Sequence, residues 1–173
     1  YPENIKGLNL ITNPDFEKYT GTNGIGNSWI GGSPNVVYTI DIISHSGLKS
    51  QKISPKFDDG DGYVWQDAPV EEGKNYSFTA WVKTQNMQSI CSGQWFCAAY
   101  AHIWFLNSSG GFLGYPSGYA SNQTFNGTTD WTLSILTFTA PPTAAIARID
   151  LEIWGSGTVW FDEVSLKEIT EVN

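Results

Sequence analysis

Hydrophobic and polar residues alternate along most of this chain, and no long segment repeats hydrophobic residues with the spacing of a helix. Ala, Leu, Glu and Lys do not cluster, whereas β-branched and aromatic residues gather in short runs between Gly, Pro, Asn and Ser turns. The pattern predicts almost no helix. It predicts strands over residues 36–43, 50–53, 63–66, 75–83, 99–106, 133–139, 147–154 and 158–166.

Many short strands without intervening helices predict two antiparallel sheets packed face to face, an all-β jelly-roll sandwich. The region 107–130, rich in Ser, Gly and Asn, is the longest stretch predicted to be irregular. A chain of 173 residues can bury a single core, so we interpret residues 1–173 as one module. We expect residues 169–173 to begin a linker. Because the chain starts at Tyr1 without a hydrophobic signal segment, we expect the module to belong to a longer protein.

The composition is rich in rings and poor in charge. Aromatic residues make up 14% of the chain and charged residues 15%, which favours stacking interactions over proton transfer. The formal charge of −8 repels phosphate backbones and anionic membrane surfaces. No hydrophobic run approaches the roughly 18 residues of a membrane-spanning helix. We therefore expect neither nucleic acid nor a membrane as a partner.

The chain has two cysteines, Cys91 and Cys97, in the segment CSGQWFC. Their spacing is too wide for a thioredoxin-type pair, and a zinc site would need a second pair or neighbouring histidines. We interpret them as a disulfide that closes a small loop, with two buried thiols as the alternative.

Five segments occur in an order that brings a known family to mind. They are NLITNPDFE (9–17), SHSGLKSQKI (44–53), VEEGKNYSFTAWVKT (70–84), WTLSILTFTAPP (131–142) and GTVWFDEVSL (157–166). With them, the chain resembles the carbohydrate-binding modules of families four, nine, sixteen and twenty-two. The resemblance covers nearly the whole chain, although the insertion SICSGQWFCAAY (89–100) is not part of the family pattern.

The resemblance implies a jelly roll that binds a polysaccharide or oligosaccharide without catalysis, in a groove across the concave sheet. The glycans bound by family members include β-glucans, mannan and xylan. Members are usually attached to glycoside hydrolases, so the resemblance also implies a catalytic domain in the same parent chain. A secreted or cell-surface location follows from the same argument.

The strand predicted over 99–106 carries core residues on one face and amphipathic rings on the other. The rings are those of Tyr100, His102 and Trp104, which can stack on sugar faces and bond to hydroxyls. The alternative is that a loop or the opposite sheet covers them.

The strand predicted over 147–154 has a polar face formed by Arg148, Asp150, Glu152 and Trp154. Successive charges on one face do not suit a core. A solvated convex face is the alternative, but the resemblance places the groove here, where carboxylates and a guanidinium can bond vicinal hydroxyls.

Four further residues are candidates for the binding surface. Trp29 resembles the family's loop tryptophan, which is a core residue in some members, and Trp95 lies between the two cysteines. Trp81 lies opposite the hydrophobic face of its strand, and Gln66 can bond to hydroxyls as an uncharged group.

The resemblance also implies a structural calcium ion. Its side-chain ligands are expected to be Glu17 and Asp162, with the backbone carbonyls of Asp15 and Lys49 as additions, because calcium prefers hard oxygen ligands. The acidic run DDGDG (58–62) lacks the Glu that closes an EF-hand loop, so we interpret it as an exposed turn.

An enzyme is the main alternative to a binding module. Asp150 and Glu152, as alternate residues of a strand, stand about 7 Å apart, within the range that glycoside hydrolysis uses. The segment RIDLE (148–152) resembles the E-x-D-x-E strand of laminarinase-like hydrolases, with Arg148 at the position of the nucleophile. A guanidinium cannot attack an anomeric carbon, so we predict binding without catalysis. A jelly-roll glycoside hydrolase or lyase using these two carboxylates and a structural cell-surface interaction domain are the alternatives.

Overall fold

The computed structural model describes residues 7–89, 98–116 and 123–170, and in them the chain forms strands and no helix. The strands are β1 (Ile30–Gly31), β2 (Val36–Asp41), β3 (Ser50–Pro55), β4 (Asp61–Pro69), β5 (Asn75–Gln88), β6 (Ala98–Asn107), β7 (Phe112–Gly114), β8 (Gly127–Thr139), β9 (Ala144–Trp154) and β10 (Ser156–Glu168). Every predicted strand is present. The prediction of irregular structure over 107–130 is wrong in part, because this region contains β7 and the start of β8.

The strands form two antiparallel five-stranded sheets, as the all-β sandwich prediction requires. Sheet A has the order β1-β4-β9-β6-β7, and sheet B has the order β2-β3-β10-β5-β8. The central strands of the two sheets, β9 and β10, follow each other directly in sequence. No helix long and hydrophobic enough to cross a membrane occurs within the described ranges.

The core lies between the sheets and takes alternate residues from each strand. In β9 these residues are Ile149, Leu151 and Ile153, and in β10 they include Val159 and Phe161, all fully buried. Burying such a side chain contributes about 1.5–3 kcal/mol. With this face turned inward, the intervening residues of β9 must point to the outside of sheet A.

The connection between the two central strands requires a glycine. Gly155 has φ 138°, and a Cβ at this position would lie 2.1 Å from the carbonyl oxygen of Gln88. Any other residue would therefore clash and be strained. This turn passes the chain from sheet A to sheet B.

Candidate functional site

The outer side of sheet A carries aromatic and charged side chains from β4, β9 and β6 in register. Directly paired residues of antiparallel strands point to the same side of a sheet. The pairing produces three rows across the strands: Tyr63–Glu152–Tyr100, Trp65–Asp150–His102 and Asp67–Arg148–Trp104. We call these nine residues the aromatic face.

Arg148 joins two tryptophans of the aromatic face. Its guanidinium carbon lies 3.9 Å from the ring centroid of Trp65 and 5.0 Å from that of Trp104. The same group forms a two-pronged ion pair with Asp67, with Nε at 2.7 Å from Oδ1 and the Nη2 atom at 2.8 Å from Oδ2. Hydrogen bonding to Asp67 raises the pKa of Arg148. The cation therefore stays charged and holds an indole on each side of β9.

The two carboxylates of β9 differ in their surroundings. Asp150 is buried and accepts a hydrogen bond from the indole Nε1 of Trp104. His102 Nε2 lies 3.5 Å from Asp150 Oδ2 and 3.2 Å from Glu152 Oε2. Burial raises the pKa of Asp150, while the charge of His102 and the bond from Trp104 act to lower it. Asp150 thus orients its neighbours, whereas Glu152 is more exposed and better placed to meet a ligand.

Most predicted residues of β6 and β9 lie together on this face, but not all are open to solvent. Trp104, Arg148, Glu152 and Trp154 are half-buried. Tyr100 and His102 are only 2% and 6% exposed, and their ring centroids lie 5.2 Å apart. The expectation that these two rings stack on sugars is therefore corrected: they point to the outer side of sheet A but are covered there.

Trp29 and Gln66 were expected on the binding surface and lie in the interior instead. The indole of Trp29 is buried against Phe16, at a centroid distance of 5.2 Å, and its Nε1 donates to the carbonyl of Asn13 at 3.1 Å. The amide of Gln66 accepts from the Thr12 N–H at 2.7 Å and donates to the Thr12 carbonyl at 3.0 Å. Both side chains fasten the N-terminal segment to the sandwich, which is why they are buried.

Trp81 lies on the other sheet. It belongs to β5 in sheet B, and its ring is stacked on the imidazole of His45 at a centroid distance of 3.7 Å. It cannot contribute to the aromatic face, so this prediction is also corrected. The predictions for Trp95 and for the disulfide between Cys91 and Cys97 fall outside the described residues.

Part of the aromatic face lies in β4 and was not predicted from the sequence. In this strand Val64, Gln66 and Ala68 point inward, and Tyr63, Trp65 and Asp67 point outward. The hydrophobic residues Val64 and Ala68 could have predicted this orientation. Because side chains alternate along a strand, they place Gln66 on the core face and Trp65 on the outer face.

Two further rings extend the surface beyond β6. Phe112 lies 5.5 Å from Trp104, and Tyr115 lies 5.5 Å from Phe112, measured between ring centroids. Both side chains are exposed. They lie in the region that was predicted to be irregular, where no alternation could reveal their orientation.

The expected calcium ligands meet at one loop, residues 45–49. Glu17 Oε1 accepts from the backbone N–H groups of Leu48 and Lys49, at 2.5 and 2.9 Å. The fully buried Asp162 accepts from the N–H groups of His45 and Ser46, at 2.8 and 3.1 Å. Burial raises the pKa of Asp162 to about 6.

The chemistry of this pair fits calcium only in part. Two carboxylates supply hard oxygen atoms of the kind that calcium prefers, and a buried anion gains from a nearby cation. No cluster of three or more His, Cys, Asp or Glu side chains suited to a metal occurs in the described part of the chain. A calcium ion here would therefore depend on backbone carbonyls, those of Asp15 and Lys49 being the expected ones.

Comparison with known proteins gives a family match over most of the chain. The family model described as a carbohydrate binding domain matches residues 8–158. A search of curated proteins gives no match.

Several solved structures share the fold. The chain is similar to the enzymatically active domain of tailspike protein 4 of bacteriophage CBA120, with 18% identity, a TM-score of 0.70, and coverage of 93% of this chain and 21% of that one. It is similar to the CBM22-1 xylan-binding domain of Xyn10C from Paenibacillus barcinonensis, with 11% identity, a TM-score of 0.62, and coverage of 96% and 97%. TmCBM61 in complex with β-1,4-galactotriose has 14% identity, a TM-score of 0.57, and coverage of 92% and 97%. At such identities the likeness concerns the fold.

Proposed function

We propose that this chain, which belongs to the carbohydrate-binding domain family, holds a polysaccharide along the aromatic face of sheet A. The observation that carries the proposal is the register of β4, β9 and β6, which lines up rings and charged groups in rows on one surface. Extended glycans present alternating hydrophobic faces and hydroxyl edges, and such rows can meet both.

Membership of this family makes the chain a non-catalytic binding domain, as the sequence predicted. The surroundings of Asp150 and of Arg148, in the strand considered for catalysis, agree with a non-catalytic role. Asp150 is buried beneath Trp104 and His102, and Arg148, at the position of the nucleophile, forms an ion pair with Asp67. These groups organise a surface rather than attack a substrate.

Stacking supplies most of the binding free energy in this proposal. A ring that covers a sugar face removes hydrophobic area from water, at roughly 25 cal/mol per Å². Trp65 and Trp104 are held on both sides of Arg148 before any ligand arrives, so little conformational freedom is lost on binding. Glu152 and the outer rings of Phe112, Tyr115 and Trp154 provide further contacts along the chain of the glycan.

The glycan we propose belongs to the β-glucan, mannan or xylan class. Solved structures with the same fold include a xylan-binding domain and modules of a xylanase from Clostridium thermocellum complexed with xylohexaose, which supports an extended β-linked chain. The chain spans 29% of that xylanase structure and 21% of the tailspike domain, which supports a role as one module of a larger protein. We propose a catalytic domain in the same parent chain, which the module would hold on its glycan outside the cell.

We also propose a structural calcium ion held by the carboxylates of Glu17 and Asp162 and the carbonyls of Asp15 and Lys49. When bound, calcium would supply a cross-link between the N-terminal segment and β10. The residues of this chain already tie the two together, because the loop 45–49 donates to both carboxylates.

A panel of insoluble polysaccharides tests the function. The protein is incubated with xylan, mannan, cellulose and β-1,3-glucan, and both retention and release of reducing sugars are measured. We expect retention on at least one glycan with no released product. Product release would contradict the non-catalytic role, and no retention on any glycan would contradict the proposed binding.

A further inference from the structure

A cavity of about 550 Å³ lies on the outside of sheet B, on the opposite side of the sandwich from the aromatic face. It opens over the neighbouring strands β5 and β10. It is bounded by the N-terminal segment at Asn9 to Asp15 and by the loop that carries His45 and Ser46. Its volume falls within the range of small-molecule sites, about 300–1,000 Å³.

One wall of the cavity is a fixed pair of rings. The imidazole of His45 is stacked on Trp81 at 3.7 Å with an interplanar angle of 14°, and its other side meets the edge of Trp131 at 5.9 Å. Nδ1 of His45 also contacts the carboxylate of Glu163. Held by Trp131 and Glu163, the ring pair has little freedom to lose when a ligand arrives.

The floor of the cavity is polar. Thr79 and Ser165 are directly paired across β5 and β10, so their hydroxyls point to the same side, and the ammonium of Lys167 lies further along β10. Hydroxyls both donate and accept hydrogen bonds, and an ammonium donates only. A rigid aromatic wall above a floor of such groups is suited to a small molecule with a hydrophobic face and a hydroxyl edge.

We infer that this cavity is a second carbohydrate site, which takes a short, uncharged saccharide of one to a few rings. Charges of both signs line it: the ammonium of Lys167 disfavours a cation, and the carboxylates of Asp15 and Glu163 disfavour an anion. The formal charge of −8 on the whole chain disfavours an anionic ligand further. The cavity adjoins the proposed calcium position, because Asp15 and the loop of His45 and Ser46 line it, although the carboxylates of Glu17 and Asp162 do not.

The two sites differ in shape and therefore in ligand length. The aromatic face is a surface crossed by three strands, along which a polymer can extend. The cavity is bounded by the ring pair, the loop of His45 and the N-terminal segment, so it fits the end of a chain or a free oligosaccharide. This inference rests on sheet B and these two segments, and it does not depend on the aromatic face.

The experiment maps trisaccharide binding on the isotope-labelled protein by NMR, with calcium in excess throughout. The probes are xylotriose, cellotriose and mannotriose. Three variants accompany the wild type: the double variant Trp65→Ala/Trp104→Ala, which removes the platforms of sheet A; Thr79→Tyr, which fills the cavity floor; and Thr137→Tyr. The last is the matched control, because Thr137 lies on the same outer face, in the neighbouring strand, and outside the cavity.

We expect at least one trisaccharide to shift amide signals around Thr79, Ser165 and Lys167. These shifts should persist in the double variant Trp65→Ala/Trp104→Ala, and the dissociation constant obtained from them should change by less than about twofold. Thr79→Tyr should weaken this binding about tenfold or more, and Thr137→Tyr should leave it unchanged.

Wild-type shifts confined to sheet A would overturn the second site and leave the proposed function in place. Equal binding by Thr79→Tyr and Thr137→Tyr would overturn it as well. Because the wild-type map alone decides the first outcome, the test does not depend on any variant folding. Polysaccharide retention measured on the same samples shows separately whether the aromatic face binds.

Discussion

The two outer faces of this sandwich carry similar residues and present them differently. On sheet B, Trp160 is buried, with its Nε1 bonded to Asp41 and the ammonium of Lys52 5.4 Å from its ring, and Trp81 is covered by His45. On sheet A, Trp65 and Trp104 stay half-exposed around Arg148. The number of rings on a face therefore says little about whether it binds a polymer, which requires rings that are exposed and in register.

Ion pairs show the same contrast. Arg148 and Asp67 on sheet A are joined through two hydrogen bonds, and their side chains are 23% and 34% exposed. Lys83 and Asp130 on sheet B share a single contact, and Asp130 is 88% exposed. Exposed pairs contribute about 0–1 kcal/mol. The pair of Arg148 and Asp67 can hold the neighbouring rings in place, whereas the pair of Lys83 and Asp130 holds no ring.

Removing a ring should separate the faces most clearly. Trp65→Ala and Trp104→Ala should each weaken retention on the cognate polysaccharide tens-fold or more, because truncating a central aromatic anchor costs about 2 kcal/mol or more. Affinity electrophoresis measures the effect, and circular dichroism checks the fold. Val37→Ala, at an exposed position of β2 in sheet B and outside the cavity, is the control and should bind the polymer as wild type. If Val37→Ala loses retention equally, the polymer does not bind through sheet A.

Loss of the Arg148 ion pair should have the next largest effect. Asp67→Asn removes the charged partner of the guanidinium, so Arg148 no longer holds the rings of Trp65 and Trp104 in their positions. We expect polysaccharide affinity to fall about tenfold, or about 1.4 kcal/mol. The same substitution on sheet B, Asp130→Asn, should leave affinity unchanged. Equal affinities of both variants and the wild type in a titration would show that the ion pair of Arg148 and Asp67 has no role in binding.

Much of the fold could be predicted from the sequence, because the alternation of hydrophobic residues and the turn residues act locally. In β9 the sequence alone separates Ile149, Leu151 and Ile153 from Arg148 and Glu152, and the structure keeps that division. The same rule applied to β4 would have selected Trp65 rather than Gln66. Short elements such as β7, with three residues, carry too little pattern to be recognised.

The rest of the surface depends on long-range packing that one sequence does not reveal. Trp29 is buried because the segments around Asn13 and Phe16 fold over it, and nothing in its own loop indicates this. Trp81 faces outward as predicted, but from sheet B, because the order of strands in the sheets decides which face it joins. Tyr100 and His102 alternate correctly and are nevertheless covered.

Removal of calcium should lower the stability of the fold and leave polysaccharide binding unchanged. Calcium would then act only on the side of the molecule away from the aromatic face. An ion present at ten times its dissociation constant stabilises the folded state by about 1.4 kcal/mol. Chelation should therefore lower the melting temperature by about 3–6 °C. Polysaccharide retention below that temperature should remain within about twofold of its original value.

The matched variant for the metal is Asp162→Asn, which should no longer respond to added calcium in the same melting experiment. An identical melting curve with and without chelator, together with no metal found by elemental analysis, would contradict the proposed calcium ion.

The smallest effect concerns the buried carboxylate of sheet A. Burial raises the pKa of Asp150 in the folded protein, with His102, Glu152 and Arg148 as its charged neighbours. The folded state therefore holds the proton more tightly than the unfolded state. Protonated Asp150 therefore adds to the free energy of unfolding at pH values below the ordinary carboxyl pKa. This contribution is lost as the pH rises through the raised pKa of the folded protein.

Asp150→Asn removes this dependence and keeps an oxygen that can accept from Trp104 Nε1. Relative to wild type, the variant should gain stability as the pH rises and level off above the raised pKa, with a change in melting temperature of about 2 °C or less. Bonding to Lys83 lowers the pKa of Asp130, so Asp130→Asn has the opposite sign, and full exposure keeps its effect near zero. Thermal melts of both variants from acidic to neutral pH measure the two slopes. Parallel curves for Asp150→Asn and wild type would mean that the carboxylate of Asp150 titrates as it does in the unfolded chain.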